Sequence, residues 1–144
     1  MTKRILVAID LHQAADRANL LAEAVTYAQV TSSKLILLNV VDIDFDSSMV
    51  DRFKDVKNQY ASAAKNKLAD VAKRHVPDDL IEDIKVTTGR SYSKVIDAAR
   101  ELEVDMIMMA AHKEGMKDYL LGMTAARVVR HAPCTVLVVR TNQN

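Results

Sequence analysis

Four short, nearly continuous apolar runs constrain this chain more than any other feature: Ile5–Ile9, Leu35–Val41, Met106–Ala111 and Val136–Val139. A strand with one face in water alternates polar and apolar residues. A run without alternation needs cover on both faces, which is the situation of a parallel sheet between two layers of helices. A fifth, weaker segment, Ile84–Thr88, does alternate and therefore suits the edge of the same sheet.

Helical spacing fills the intervals. Ala18, Leu21, Ala22, Val25 and Ala28 follow the i, i+3, i+4 pattern, and Met49, Phe53, Val56, Tyr60, Ala64, Leu68 and Val71 form a longer stripe that stops before Pro77. Val95, Ile96, Ala99 and Leu102 mark a third helix, with Ser91 or Ser93 as its expected N-cap. Ala125, Val128 and Val129 mark a fourth, ended by Pro133. Strict alternation of strands and helices implies right-handed crossovers and helices on both sheet faces, an α/β fold. One domain over residues 1–144 is expected, long enough to bury a core, with Asp42–Ser48 as an aperiodic loop.

Composition enters through what it disfavours. The net charge is +1, from 20 basic and 19 acidic residues of mixed distribution, unlike the basic stripe of a nucleic-acid binder. Four Tyr and two Phe offer few stacking platforms for single strands. Cys134 is alone, so an internal disulfide is ruled out and a reducing, cytoplasmic setting is expected. The apolar stretch before Asp10 is too short for a signal peptide, and no run approaches the roughly 18 apolar residues of a membrane span.

Ligands of open α/β sheets collect beyond the carboxyl ends of the strands, where strand order reverses. That rule selects Asp10, then Val40 to Asp42, Gly89 and Arg90, Ala110 to Lys113, and Gly122. With glycine only at 89, 115 and 122, neither GxxxxGK[ST] nor GxGxxG can be written. A phospho-receiver domain also fails: it needs paired acids after the first strand and an aspartate after the third, where single Asp10 and Thr88-Gly89 stand.

The opening Ile5-Leu6-Val7-Ala8-Ile9-Asp10, the second run Leu35–Val41 and the C-terminal block MMAAHKEGMKDYLLGMTAARVVRHAPCTVLVVR together resemble the universal stress protein (UspA-like) family, in its short single-domain F/G branch. The resemblance covers essentially the whole chain. It implies a five-stranded parallel sheet of order 3-2-1-4-5, usually a homodimer, with the last strands of two protomers pairing in many members, and, in a subset, bound ATP or AMP; the sequence itself leaves the assembly open between dimer and tetramer. In those members an aspartate after the first strand and backbone at the end of the second hold adenosine. A Gly-x2-Gly-x9-Gly-Ser/Thr loop holds ribose and phosphates.

Carried onto this chain, Asp10 takes the first role and Val41 the second. The loop departs from the pattern. Counting back from Gly122 without a gap puts Met109 and His112 at the first two glycines; allowing the one-residue deletion of the F/G branch puts Ala110 and Lys113 there, the preferred alignment. Gly122 is kept, Met123 replaces the hydroxyl residue, and Thr124 comes one position late. Glycines let backbone N–H groups approach phosphate closely. Lys113, with Arg90 and Lys117, is placed to substitute side-chain charge for that nest.

Other residues invite functions that their surroundings do not support. His112 has no nucleophile and orienting acid at suitable spacing. Asp42, Asp44 and Asp46 open like a calcium loop, but Ser47 and Phe53 stand where glycine and glutamate are needed, so no metal is expected. Cys134 and the Met106, Met108, Met109 cluster are expected to be packing residues. Two readings stay open: a nucleotide-responsive stress module, or a nucleotide-independent dimeric interaction protein. A slow ATP hydrolase is a weaker third, and the expectation is a binding protein rather than an enzyme.

Overall fold

The computed structural model describes residues 3–12, 14–42, 54–111 and 122–140. In chain order these form β1 (Lys3–Ala8), α1 (Ala14–Thr31), β2 (Ser33–Val41), α2 (Lys54–His75), a 3₁₀ turn (Asp78–Leu80), β3 (Ile81–Thr88), α3 (Ser91–Glu101), β4 (Met106–Ala110), α4 (Met123–His131) and β5 (Thr135–Val139). The five strands make one parallel sheet of order β3-β2-β1-β4-β5. Both the alternation and the order match the sequence expectation, and β3 lies at an edge.

The near-continuous apolar runs are explained by side chains that alternate between two cores. Ile5 and Val7 of β1, Leu35 and Leu37 of β2 and Met108 of β4 pack with α1 and α2. Leu6, Ile36, Leu38, Ile107 and Met109 point the other way and pack with α3 and α4. Each such fully buried aliphatic side chain contributes about 1.5–3 kcal/mol relative to exposure.

Two local expectations shift. The buried stripe of α1 is Leu20, Leu21, Ala24 and Ala28, while Ala18 and Ala22 are exposed. Leucines at 20 and 21 bury more apolar area than alanines, so they set the rotation of the helix. On α3 the N-cap is Arg90, without a side-chain cap hydrogen bond, and Ser91 is already helical. The predicted beginning of α2 at Met49 and Phe53 lies outside the described residues.

The strands end at unequal heights on the carboxyl side of the sheet. The β1–β2 register runs from Lys3↔Ser33 to Ala8↔Leu38, and β1–β4 ends at Ala8↔Met109. The neighbours continue: β2 pairs with β3 out to Val41↔Thr88, and β4 pairs with β5 out to Ala110↔Val139. The central strand therefore stops first on this side, and a notch opens at its carboxyl end, at the point where the chain order reverses.

Candidate functional site

A cleft of about 900 Å³ occupies that notch. Its floor is the strand rim: Ala8 to Leu11 from β1 and the turn after it, Leu38 to Asp42 from β2, and Met109 to Ala111 from β4. One wall is α2, through Tyr60, Ala63, Ala64 and Lys67; the opposite wall is the start of α3 at Ser91 and of α4 at Gly122 to Ala125. The site residues expected from sequence that are described, Asp10, Val41, Ala110, Gly122, Met123 and Thr124, all line this single cleft. His112, Lys113, Asp44 and Asp46 lie outside the described residues.

Asp10 is exposed, and its Oδ1 accepts the His12 N–H at 2.8 Å. This is a local turn that fixes the carboxylate at the mouth of the notch. The turn is held from behind as well: the Leu11 carbonyl accepts both Arg17 Nη1 and Lys67 Nζ, each at 2.9 Å. Arg17 Nε is buried without a hydrogen-bond partner among the described residues.

Two helix N-termini open on the far wall. Neither the Arg90 cap of α3 nor the Gly122 cap of α4 makes a side-chain N-cap bond, so among the described residues no cap side chain takes the first N–H groups of either helix. At α4 the cap is Gly122, with φ 84° and ψ 155°, a conformation nearly closed to residues with a Cβ. The Arg127 guanidinium sits 4.9 Å over the Tyr92 ring, and this contact ties the two helices together behind the cleft. The Tyr92 hydroxyl is pulled below its ordinary pKa, chiefly by its hydrogen bond with Ser93, with Arg127 and Arg90 adding to the effect against some desolvation.

The end of β2 is less simple than its sequence suggests. Backbone N–H and C=O groups of one strand residue point to the same neighbouring strand, and successive residues alternate. Val41 faces β3, since its carbonyl accepts the Gly89 N–H at 3.1 Å; Leu38 faces β1, since its carbonyl accepts the Ile9 N–H at 2.8 Å. By that alternation Val40, not Val41, directs its peptide groups toward the notch. Asn39 is buried, with 7% of its surface exposed, and its Nδ2 donates to the Ile9 carbonyl at 2.7 Å.

A model of the universal stress protein family matches residues 1–140. The chain belongs to the universal stress protein family. A Staphylococcus aureus (strain USA300) protein named for the same family is 30% identical over 145 residues, covering 98% of this chain and 86% of its own length. Among solved structures, hypothetical protein MJ0577 superposes with a TM-score of 0.83 at 25% identity, over 100% of this chain and 99% of that one. The universal stress protein UspA from Lactobacillus plantarum gives 0.69 at 28% identity, over 96% and 97%. A universal stress protein solved in complex with cAMP gives 0.63 at 17% identity, over 98% of each chain.

Sequence reasoning about this universal stress protein overlooked Asn39, Lys67 and Tyr60 as cleft residues. Asn39 did carry a signal, as the one polar residue inside the Leu35–Val41 run. Lys67 and Tyr60 had none, because their place depends on how α2 crosses the sheet. Among the described residues no three His, Cys, Asp or Glu side chains converge as a metal site, and no helix is long and apolar enough to cross a membrane.

Proposed function

We propose that this universal stress protein is a regulatory binding module that holds an adenine nucleotide, ATP or AMP, in the cleft at the carboxyl rim of the sheet. The observation that carries the reading is the convergence there of two uncapped helix N-termini with the Asp10 carboxylate and the overhanging end of β2. Helix N-termini favour anions, and the wall at Ser91 and Gly122 to Thr124 suits phosphates. The apolar floor suits a flat heterocycle, and Asp10 suits ribose hydroxyls, which are hydrogen-bond donors. The relative solved with cAMP has the same fold; at 17% identity it lends the fold alone, so the reading rests on the cleft.

In this reading Asp10, Ala110, Lys113, Gly122, Met123 and Thr124 contact the nucleotide, with the β2 end at Val40 and Val41. Lys113 supplies charge where the resemblance implies a backbone nest of glycines. A second copy of the chain covers β5, which lies at the sheet edge with Leu137 exposed.

The test is mass spectrometry of small molecules released by denaturing freshly purified protein. Stoichiometric adenine nucleotide supports the proposal. An empty protein that also fails to take up added ATP or AMP turns it into the nucleotide-independent interaction reading.

A further inference from the structure

A parallel β1–β2 ladder that reaches Ile9 N–H to Leu38 C=O has an obvious next rung, Val40 N–H to Ile9 C=O. That rung is missing among the described residues, and the Ile9 carbonyl instead accepts Asn39 Nδ2 at 2.7 Å. Backbone groups are rarely left unpaired unless something else is meant to satisfy them. Here the side chain of the preceding residue has taken the acceptor, so the Val40 N–H has no partner on β1. The Val40 carbonyl is in the same position, since no Leu11 N–H bond to it is formed. Val40 is half-buried and lines the cleft floor. Asn39 is 7% exposed and makes its one described hydrogen bond through Nδ2, so the direction of the amide is fixed by its partner.

We propose that Asn39 is a positioning residue that ends the β1–β2 ladder one rung early and so keeps the Val40 N–H and C=O off β1, available to the edge of the heterocycle in the cleft. The adenine edge of the proposed function matches that pair, with a ring nitrogen to accept from N–H beside an exocyclic amine to donate to C=O. Asn39 does this without moving, because its own bond replaces the rung it removes and leaves no unsatisfied carbonyl on Ile9. The ligand half of this inference rests on the nucleotide reading of the cleft; the backbone half stands without it.

The experiment follows the Val40 amide by hydrogen–deuterium exchange at single-residue resolution, in wild type and in Asn39→Leu, with and without adenosine. In ligand-free wild type the Val40 amide is expected to exchange at least about tenfold faster than the ladder amide of Leu38. In Asn39→Leu the freed Ile9 carbonyl captures Val40, its exchange slows by about tenfold, and adenosine binds about tenfold more weakly. Asn39→His puts Nδ1–H the same number of bonds from Cα as Asn Nδ2, and is expected to restore both the fast exchange and the affinity. Should Asn39→Leu fail to fold, Asn39→Asp, which keeps the shape and removes the donor, takes its place. A Val40 amide already protected in ligand-free wild type overturns the inference, as does an Asn39 variant that changes neither exchange nor affinity. If wild type binds no adenosine, the nucleotide reading fails, while the exchange comparison still decides the role of Asn39.

Discussion

Gly122 is the position where a single methyl group tests the geometry of the cleft most sharply. Its φ of 84° with ψ of 155° lies in a region used almost only by glycine, and it caps α4 by accepting the Ala126 N–H at 3.0 Å. Holding an L-residue there costs about 1–3 kcal/mol. With an unfolding entropy of about 2.1 cal/mol/K per residue over 144 residues, the slope at the midpoint is about 0.3 kcal/mol/K. Gly122→Ala should therefore lower the melting temperature by roughly 3–10 °C and the urea midpoint in proportion, with the m-value unchanged. Relief of the strain changes φ and ψ at position 122, and any turn of the peptide leading into Met123 re-aims the N–H groups on the phosphate wall. AMP binding should then fall by about tenfold, the loss of one charge-assisted hydrogen bond, while adenosine is nearly unaffected. Urea titration followed by circular dichroism and calorimetry with both ligands measure the two effects. A variant within about 0.5 kcal/mol of wild type would refute the assigned backbone, since that is the scatter of neutral surface changes.

Other perturbations separate the remaining parts. Asp10→Ala should weaken ATP, AMP and adenosine alike, by the roughly 1.5–3 kcal/mol of a charged hydrogen bond, whereas Lys113→Ala should weaken only the two phosphate ligands and less so as salt rises; equal losses for all three ligands in both variants would break this division. Burial pushes the Cys134 thiol up, with Asp105 adding to it and the Ile107 backbone opposing. The folded form thus holds that proton more tightly than the unfolded chain, so its contribution is complete at neutral pH and is lost as pH rises through the folded pKa. Urea midpoints of wild type should fall more than those of Cys134→Ala across the alkaline range, and parallel curves would contradict the assignment. Light scattering at micromolar concentration should give a dimer or tetramer, and Leu137→Lys on β5 should shift it toward monomer; an unchanged mass in the variant would move the interface elsewhere.

The layers and the alternation of strands and helices were readable from residues because both follow from local pattern, whereas the strand order 3-2-1-4-5 came from the family resemblance. The runs at Ile5 and Leu35 lack alternation for the reason the two cores now make visible: odd-numbered side chains meet α1 and α2, and even-numbered ones meet α3 and α4. The rim was readable too, since the carboxyl ends of strands in such a sheet need only strand positions to be located. Three things were not. Helix rotation of α1 depends on which apolar residues are largest, not on their spacing alone, and the spacing of Ala18 and Ala22 misled. The α2 wall depends on crossing geometry that leaves no local trace at Tyr60 or Lys67. The peptide that faces the notch depends on strand parity, fixed only by the bonds of Leu38 and Val41, which shifts attention from Val41 to Val40.

In the proposed function the notch at the end of β1 binds the adenosine half of a nucleotide on its floor and the phosphate half on its helix wall. Titration calorimetry of wild type with AMP and with adenosine, at low and high salt, tests that division most directly. Both ligands should bind, AMP more tightly, and the gap between them should narrow as salt screens the phosphate contacts. Binding of neither at about 1 mM, the limit of a roughly 4 kcal/mol interaction, or equal affinities at every salt concentration, would contradict it.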